Sequence, residues 1–422
     1  MGTGLYTDLY ELTMAQSYLE HGRTGHAVFS LYSRTLPAER NFLVSCGLEI
    51  LIRQIELFRF GSDDLDYLSG LNTFSDTFLD WLRSYRFTGT LSAVPEGTVV
   101  FQKEPLIQLE GELPEVQVLE TLVVNSIQFQ TMIASKAARI MGVAGDKTVI
   151  DFGFRRAHMA DAGIHAARAS YIAGFSGTSN LEAGKRFGIP VVGTMAHSYV
   201  MVFPREEDAF RAFASTFPEK TLFLIDTFDT LACTKKVVAL AKAGIPVIGV
   251  RIDSGDIGSL ATAVRKILDE NGLQSVKIFI SSGIDEYAIA GLLGAGVPID
   301  SFGVGTKFIT SSDAPFLDMI YKLVEYDGRP IFKTSPGKET FPFKRQIVRH
   351  YSGDRMVCDE VVRMESPDTI PGLVTEVMRD GTCVRPMPSL DQIKTRLARD
   401  IAALPPHFRS LNKAEYPVTV RS

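Results

Sequence analysis

Residues 246–256 read Pro246-Val247-Ile248-Gly249-Val250-Arg251-Ile252-Asp253-Ser254-Gly255-Asp256. A short apolar run that opens on proline and closes on Ser, Gly and Asp has the texture of a strand buried on both faces. Its polar residues are confined to its end, where Arg251 and Asp253 stand two residues apart and share one face. Six further runs have the same form: Thr148–Gly153, Ala173–Thr178, Pro190–Met195, Thr221–Phe228, Lys277–Gly283 and Ser301–Thr306. With Phe152, Gly177, Met195, Phe228, Asp253, Gly283 and Thr306 as run ends, successive intervals are 25, 18, 33, 25, 30 and 23 residues. Each interval has room for one strand and one helix. Seven such units in series predict an α/β fold, an irregular parallel α/β barrel of about seven βα units, with a doubly wound sheet as the alternative.

The flanks have a different grain. Before the repeats, apolar spacing predicts helices over Leu5–His21 and Gly47–Phe58 and a strand over Ala27–Arg34. Gly89–Leu113 reads as short strands broken by Pro95, Gly97, Pro105 and Gly111, and Glu115–Met141 as one long helix. After Pro315 strand-like alternation returns over Met319–Glu325, Arg329–Lys333 and Phe341–Tyr351, followed by a helix over Leu390–Ala403. The expected organisation is therefore a discontinuous α/β domain from residues 1–114 and 316–422, with the barrel and a linking helix in residues 115–315.

Composition narrows the class. Of 422 residues 45% are hydrophobic and 22% charged, which excludes a disordered, coiled-coil or collagen-like chain. A net charge of −5 argues against a nucleic-acid surface and against polybasic membrane binding. No run approaches the ~18 apolar residues of a membrane span, and the amino terminus, with Asp8 and Glu11, lacks the form of a signal peptide. Cys46, Cys233, Cys358 and Cys383 are scattered and form no C-x-x-C pair, as expected of reduced thiols in a cytoplasmic enzyme.

In parallel barrels chemistry collects at the carboxyl ends of the strands. Here those ends carry Asp151, Phe152, Gly153, Arg155 and Arg156, then Thr178 and Ser179, then Thr194 and His197, then Asp226 and Asp229. Arg251, Asp253 and Asp256 follow, then Ser281-Ser282-Gly283, and finally Gly303, Gly305, Thr306 and Lys307. The last two loops, rich in Gly, Ser and Thr, suit a phosphate held by backbone N–H groups, although each by itself reads equally well as a tight turn. Arg251 and Asp253 suit an anion with a metal or hydroxyl beside it; a salt bridge closing the rim is the plain alternative. Asp226 and Asp253 on successive strands could hold Mg²⁺ through water. There is no H-E-x-x-H, no G-x-S-x-G, no zinc spacing, no Walker A loop and no Rossmann fingerprint.

Five motifs in order carry a resemblance: Thr7–Met14 (TDLYELTM), Asp151–Arg156 (DFGFRR), Gly193–Ser198 (GTMAHS), Arg251–Asp256 (RIDSGD) and Gly303–Thr306 (GVGT). Together they resemble the nicotinate phosphoribosyltransferase family. The resemblance implies a type II phosphoribosyltransferase fold and transfer of phosphoribosyl from phosphoribosyl pyrophosphate to nicotinate, giving nicotinate mononucleotide and pyrophosphate. It further implies coupling to ATP hydrolysis, a requirement for Mg²⁺, and a homodimer whose subunits share the active site. By resemblance, Phe152 and Tyr10 sandwich the pyridine ring, Tyr10 coming from the other subunit. Arg251 with Thr194 takes the carboxylate. Arg155, Asp226 and Asp253 serve ribose, pyrophosphate and Mg²⁺, while Gly283, Gly303, Gly305 and Thr306 hold the 5-phosphate. Arg40 is a further candidate for reaching pyrophosphate across the dimer, and His197 matches a histidine transiently phosphorylated by ATP.

Two readings compete. A nicotinamide-using relative carries Asp where this chain has Ser179; a carboxylate there would repel nicotinate, so serine favours the acid. A non-catalytic phosphate-binding homologue on the same scaffold is the other, against which stand His197, Arg251, Asp253 and Tyr10. The quinolinate-using enzyme would call for a denser cationic cluster.

Overall fold

Six of the seven repeated runs form strands, and all six pair in parallel. A computed structural model describes residues 3–333, 340–364 and 371–421. The strands are β1 (Thr148–Asp151), β2 (Gly177–Thr178), β3 (Leu222–Leu224), β4 (Gly249–Ile252), β5 (Lys277–Ile280) and β6 (Ser301–Val304). The sheet order is β2-β1-β6-β5-β4-β3. The remaining run, Pro190–Met195, contributes one parallel bridge between Val191 and Thr178 at the β2 edge. In chain order the runs thus lie third, second, first, seventh, sixth, fifth, fourth. That is the sequence of a wound ring cut between its third and fourth members, and among the described residues no ladder joins those two.

The strands are apolar on both faces because both are covered. Val149, Ile150, Phe223, Leu224, Val250, Ile252, Ile278, Ile280, Phe302 and Val304 are all buried, and each such side chain contributes roughly 1.5–3 kcal/mol through burial. Helices over Ala160–Ile172, Leu181–Phe187, Thr230–Lys242, Ile257–Glu270 and Glu286–Gly294 follow the strands. Four of them start on polar caps: Asn180, Asp229, Asp256 and Asp285 accept from the amides of Ala183, Ala232, Ser259 and Ala288. Asp229 and Asp256 are thereby occupied as caps, so not every polar strand end is free for a ligand.

The chain divides into two compact units, residues 136–315 and residues 1–135 with 316–422. The boundary falls inside the 25-residue helix Glu120–Ala144. The expected single helix over Glu115–Met141 is interrupted: Pro114 sits in the first turn of a short helix, Leu113–Gln117, and the Leu119 amide reaches back to the Val116 carbonyl before the long helix begins. The other unit carries a sheet of seven strands drawn from both flanks. In it His26–Ser33 lies between Met319–Tyr326 and Ile107–Glu112, antiparallel to each, with Phe29 opposite both Leu323 and Leu109. Thr90–Ala93 and Thr375–Arg379 extend it. Two helices in this unit, Ser62–Gly70 and Asp76–Ser84, carry no expectation from the sequence, because each is only nine residues long.

Candidate active site

Parallel register lines up the strand ends of β3, β4 and β5. Leu224 stands opposite Arg251, and Arg251 opposite Phe279, so the next residues, Asp226, Asp253 and Ser281, emerge side by side. They are tied together. Asp226 Oδ2 accepts from the Asp253 amide (3.0 Å) and from Ser254 Oγ (2.6 Å), and Asp253 Oδ1 accepts from Ser281 Oγ. His197, at the start of the short helix His197–Met201, places Nε2 at 3.8 Å from Asp253 Oδ2 and Nδ1 at 3.2 Å from Thr227 Oγ1. His197 and Asp253 are each about one-third exposed, at 36% and 32%. The pair is open to solvent.

Arg251 is held from one side only. Its Nη1 donates to Thr194 Oγ1 at 2.8 Å, while its buried Nε has no hydrogen-bond partner among the described residues. Burial pushes the guanidinium below its ordinary pKa, opposed by Asp253 and Asp226 and reinforced by Arg155. An unpaired N–H on a buried guanidinium is costly unless an acceptor arrives. The same holds with opposite sign for Asp226 Oδ1, buried and without a donor. That orphaned oxygen, beside the open Asp253 carboxylate, fits a divalent cation. No cluster of three or more His, Cys, Asp or Glu that could hold a metal occurs among the described residues. Such an ion would take its remaining oxygens from water and a diphosphate, the habit of Mg²⁺.

On the other side of the sheet centre, Phe152 follows β1 and packs its ring 5.6 Å from that of Phe279. Gly303 has to be glycine here: a Cβ would stand 2.7 Å from the Phe152 ring and 2.9 Å from that of Phe279. Asp151, fully buried, organises this corner. Its carboxylate accepts from the Gly153 amide (2.7 Å) and Thr178 Oγ1 (2.8 Å), and its carbonyl accepts from the Ser179 amide (2.8 Å). Burial pushes the Asp151 carboxyl up to about 6 against the pull of those two donors. Phe152 and Ser179, the expected ring platform and substrate selector, are therefore both fixed around one residue, Asp151, Ser179 by its carbonyl and the turn after Phe152 by its carboxylate. The sequence places Asp151 at a strand end but does not reveal that role, which depends on β1 and β2 being neighbours. Thr227, the His197 partner, is equally invisible without the fold.

Gly283, Gly305 and Thr306 follow β5 and β6. Gly283 is exposed, with φ +29° and open space where a Cβ would lie; Thr306 is also exposed. Arg155 is exposed on the 3-10 turn Phe154–Arg156. Two expected residues lie in the other unit. Tyr10 sits on the helix Leu9–Glu20, 45% exposed, its hydroxyl held protonated by partial burial and by Glu120, Glu11 and Asp8. Arg40 departs from expectation: its side chain is wholly buried in that unit, with Nη1 donating to the Met132 carbonyl at 3.4 Å.

Comparison with known proteins agrees along the chain. The N-terminal domain of nicotinate phosphoribosyltransferase matches residues 5–128, the nicotinate phosphoribosyltransferase family matches residues 148–340, and the C-terminal domain matches residues 357–422. Nicotinate phosphoribosyltransferase pncB2 of Mycobacterium tuberculosis is 46% identical, covering 99% of this chain and 91% of its own length. The nicotinate phosphoribosyltransferase of Bacillus subtilis is 41% identical, covering 82% of this chain and 72% of its own. Among solved structures, human nicotinic acid phosphoribosyltransferase superposes with a TM-score of 0.87 at 28% identity, covering 98% of this chain and 97% of that one. With matches from residue 5 to residue 422 and a site of this make-up, the chain belongs to the nicotinate phosphoribosyltransferase family.

Proposed function

We propose that the protein transfers phosphoribosyl from phosphoribosyl pyrophosphate to nicotinate, as the entry of nicotinate into cytoplasmic NAD salvage. One observation carries the reading: a half-buried arginine, Arg251, whose buried Nε is unpaired, one strand from Phe279 of the Phe152–Phe279 aromatic pair. A flat heteroaromatic acid needs a ring platform and a cationic fork at its carboxylate. Arg251 and Thr194 supply the fork and Phe152 the platform, with Tyr10 of the partner subunit closing the slot in a homodimer. Gly283, Gly305 and Thr306 offer backbone N–H groups to the 5-phosphate, Gly303 being buried inside β6 beneath the Phe152 and Phe279 rings, and Arg155 serves the diphosphate.

In the transfer, the bond between ribose C1 and pyrophosphate oxygen breaks, its electron pair leaving with pyrophosphate. The pyridine nitrogen lone pair forms the new C1–N bond from the opposite face. Alignment and charge stabilisation supply most of what the protein contributes. Mg²⁺, held by Asp226 and Asp253 directly or through water, would neutralise the leaving diphosphate when bound. Asp253 keeps the ribose hydroxyls and His197 in one place. With Nδ1–H donated to Thr227, His197 presents Nε2 as nucleophile to the γ-phosphorus of ATP; ADP leaves, and hydrolysis of the phosphohistidine returns the free imidazole. The parallel sheet is proposed to close as an irregular barrel between its third and fourth runs. The remaining unit is proposed to act as one discontinuous domain.

The test is an assay with Mg²⁺, phosphoribosyl pyrophosphate and either nicotinate or nicotinamide. Mononucleotide is expected from the acid, and equal turnover of the amide would favour the nicotinamide reading that Ser179 argues against. His197→Ala is expected to keep slow synthesis while losing stimulation by ATP. Continued stimulation would remove the phosphohistidine step.

A further inference from the structure

Behind the two glycine-rich loops lies a buried ionic cluster that the transfer reaction does not use. Lys136, on the long helix Glu120–Ala144, is 1% exposed at its side chain. Its Nζ lies 2.6 Å from Glu286 Oε2 and 2.8 Å from Asp313 Oδ1, whose side chains are 0% and 8% exposed. Arg139, one turn along the helix, donates from Nε to Glu286 Oε1 (3.1 Å) and from Nη2 to the Tyr287 hydroxyl (3.0 Å).

The partners of Lys136 are placed with purpose. Glu286 opens the helix Glu286–Gly294, which begins directly after the β5 loop at Ser281–Asp285. Asp313 lies shortly after the short helix Thr306–Ile309, which follows the β6 loop at Gly305. One ammonium therefore ties together the segments that leave both loops. On the solvent side the same two segments are joined a second time, by Lys307 Nζ to Asp285 Oδ2 at 2.7 Å. Asp285 also caps the Glu286–Gly294 helix through the Ala288 amide.

We propose that Lys136 is a positioning residue for the 5-phosphate: it sets the spacing of the β5 and β6 loops so that their N–H groups converge on one phosphate. A buried ion pair adds little net stability over an apolar replacement of the same volume, so its value lies in geometry. Hydrogen-bond donors must be held within about 0.5 Å to discriminate a transition state, and loops do not hold that tolerance unaided. The inference rests on the reading that these loops take the 5-phosphate, and the experiment separates the two.

Four variants are compared by KM for phosphoribosyl pyrophosphate and KM for nicotinate: Lys136→Met, Lys136→Arg, Asp313→Asn and Thr306→Pro. Lys136→Met is expected to raise the phosphoribosyl pyrophosphate KM about tenfold or more while leaving the nicotinate KM within twofold, and Lys136→Arg to restore most of the loss. Asp313→Asn weakens the tie to the β6 segment and is expected to move the same KM severalfold. It serves as the readout should Lys136→Met not fold. Thr306→Pro removes one loop N–H at the first position of the helix Thr306–Ile309, where proline is tolerated, and is expected to raise the same KM. If Thr306→Pro raises it while Lys136→Met and Asp313→Asn lower only the amount of active enzyme, the positioning role is overturned and the phosphate reading stands. If Thr306→Pro leaves it unchanged, the phosphate reading falls and the positioning role with it.

Discussion

Two arginine–aspartate constellations in this molecule use the same residue types to opposite ends. In the unit built from both flanks, Arg349 donates to both Asp359 carboxylate oxygens (3.0, 3.0 and 2.6 Å) and to the Val99 carbonyl (2.8 Å). Tyr416 donates to the same aspartate, and Asp400 accepts from the Val99 amide. None of the Arg349, Asp359 and Asp400 side chains is more than 5% exposed. At the strand ends of the parallel unit, Arg251 keeps an unpaired Nε, Asp226 an unpaired Oδ1, and Asp253 stays open to solvent. The first group is enclosed by protein on every side. The second keeps solvent access beside its unpaired polar atoms, as the proposed anion and cation would need. Charge type does not separate the two, and neither does one unpaired nitrogen, since the buried Arg349 Nη1 also lacks a hydrogen bond and lies 3.7 Å from Asp400 Oδ2; exposure does.

The largest effect that could break this contrast is on stability. Arg349→Met leaves Asp359 buried without its cation and is expected to cost about 3–5 kcal/mol, read as a fall in the urea midpoint. Arg251→Met, by contrast, removes a group whose one hydrogen bond is to Thr194 and leaves no fully buried charge behind, and is expected to cost less than about 1 kcal/mol. Comparable losses in both would mean that Arg251 is part of the scaffold.

A smaller effect sharpens the line between the two classes at Asp151, which is buried like Asp359 yet holds the Phe152–Ser179 corner together. Its folded pKa of about 6 lies above its ordinary value of 3.8. The folded state therefore binds the proton more tightly, and the stability this group contributes falls as pH rises from roughly 4 to 6. Asp151→Asn removes that dependence, so the variant is expected to gain on the parent across the same window. A difference independent of pH would show that Asp151 is not the group being titrated.

The fold was legible where hydrophobic runs recur. The intervals from Phe152 to Thr306 already contain strand and helix, and all seven runs take part in the parallel sheet. What escaped was either short or relational. The helix Ser62–Gly70 is too brief for a period to register, and the break after Gln117 turns on local carbonyl geometry. Arg251, Asp253, His197 and Asp226 were legible as a site because polar residues closing apolar strands are conspicuous. Lys136 and Glu286 were not, since 150 residues separate them in the chain. Arg40 is the converse case: a charge in a loop-like stretch gives no sign in the sequence that it is enclosed.

Arg251 is proposed to read the carboxylate of the substrate. The most direct test of that role is the ratio of kcat/KM for nicotinate to that for nicotinamide, measured in the parent protein and in Arg251→Met. A ratio far above one is expected in the parent, collapsing by about 100-fold or more in the variant through loss of nicotinate turnover alone. A ratio near one in the parent, or one left unchanged by the substitution, would contradict it.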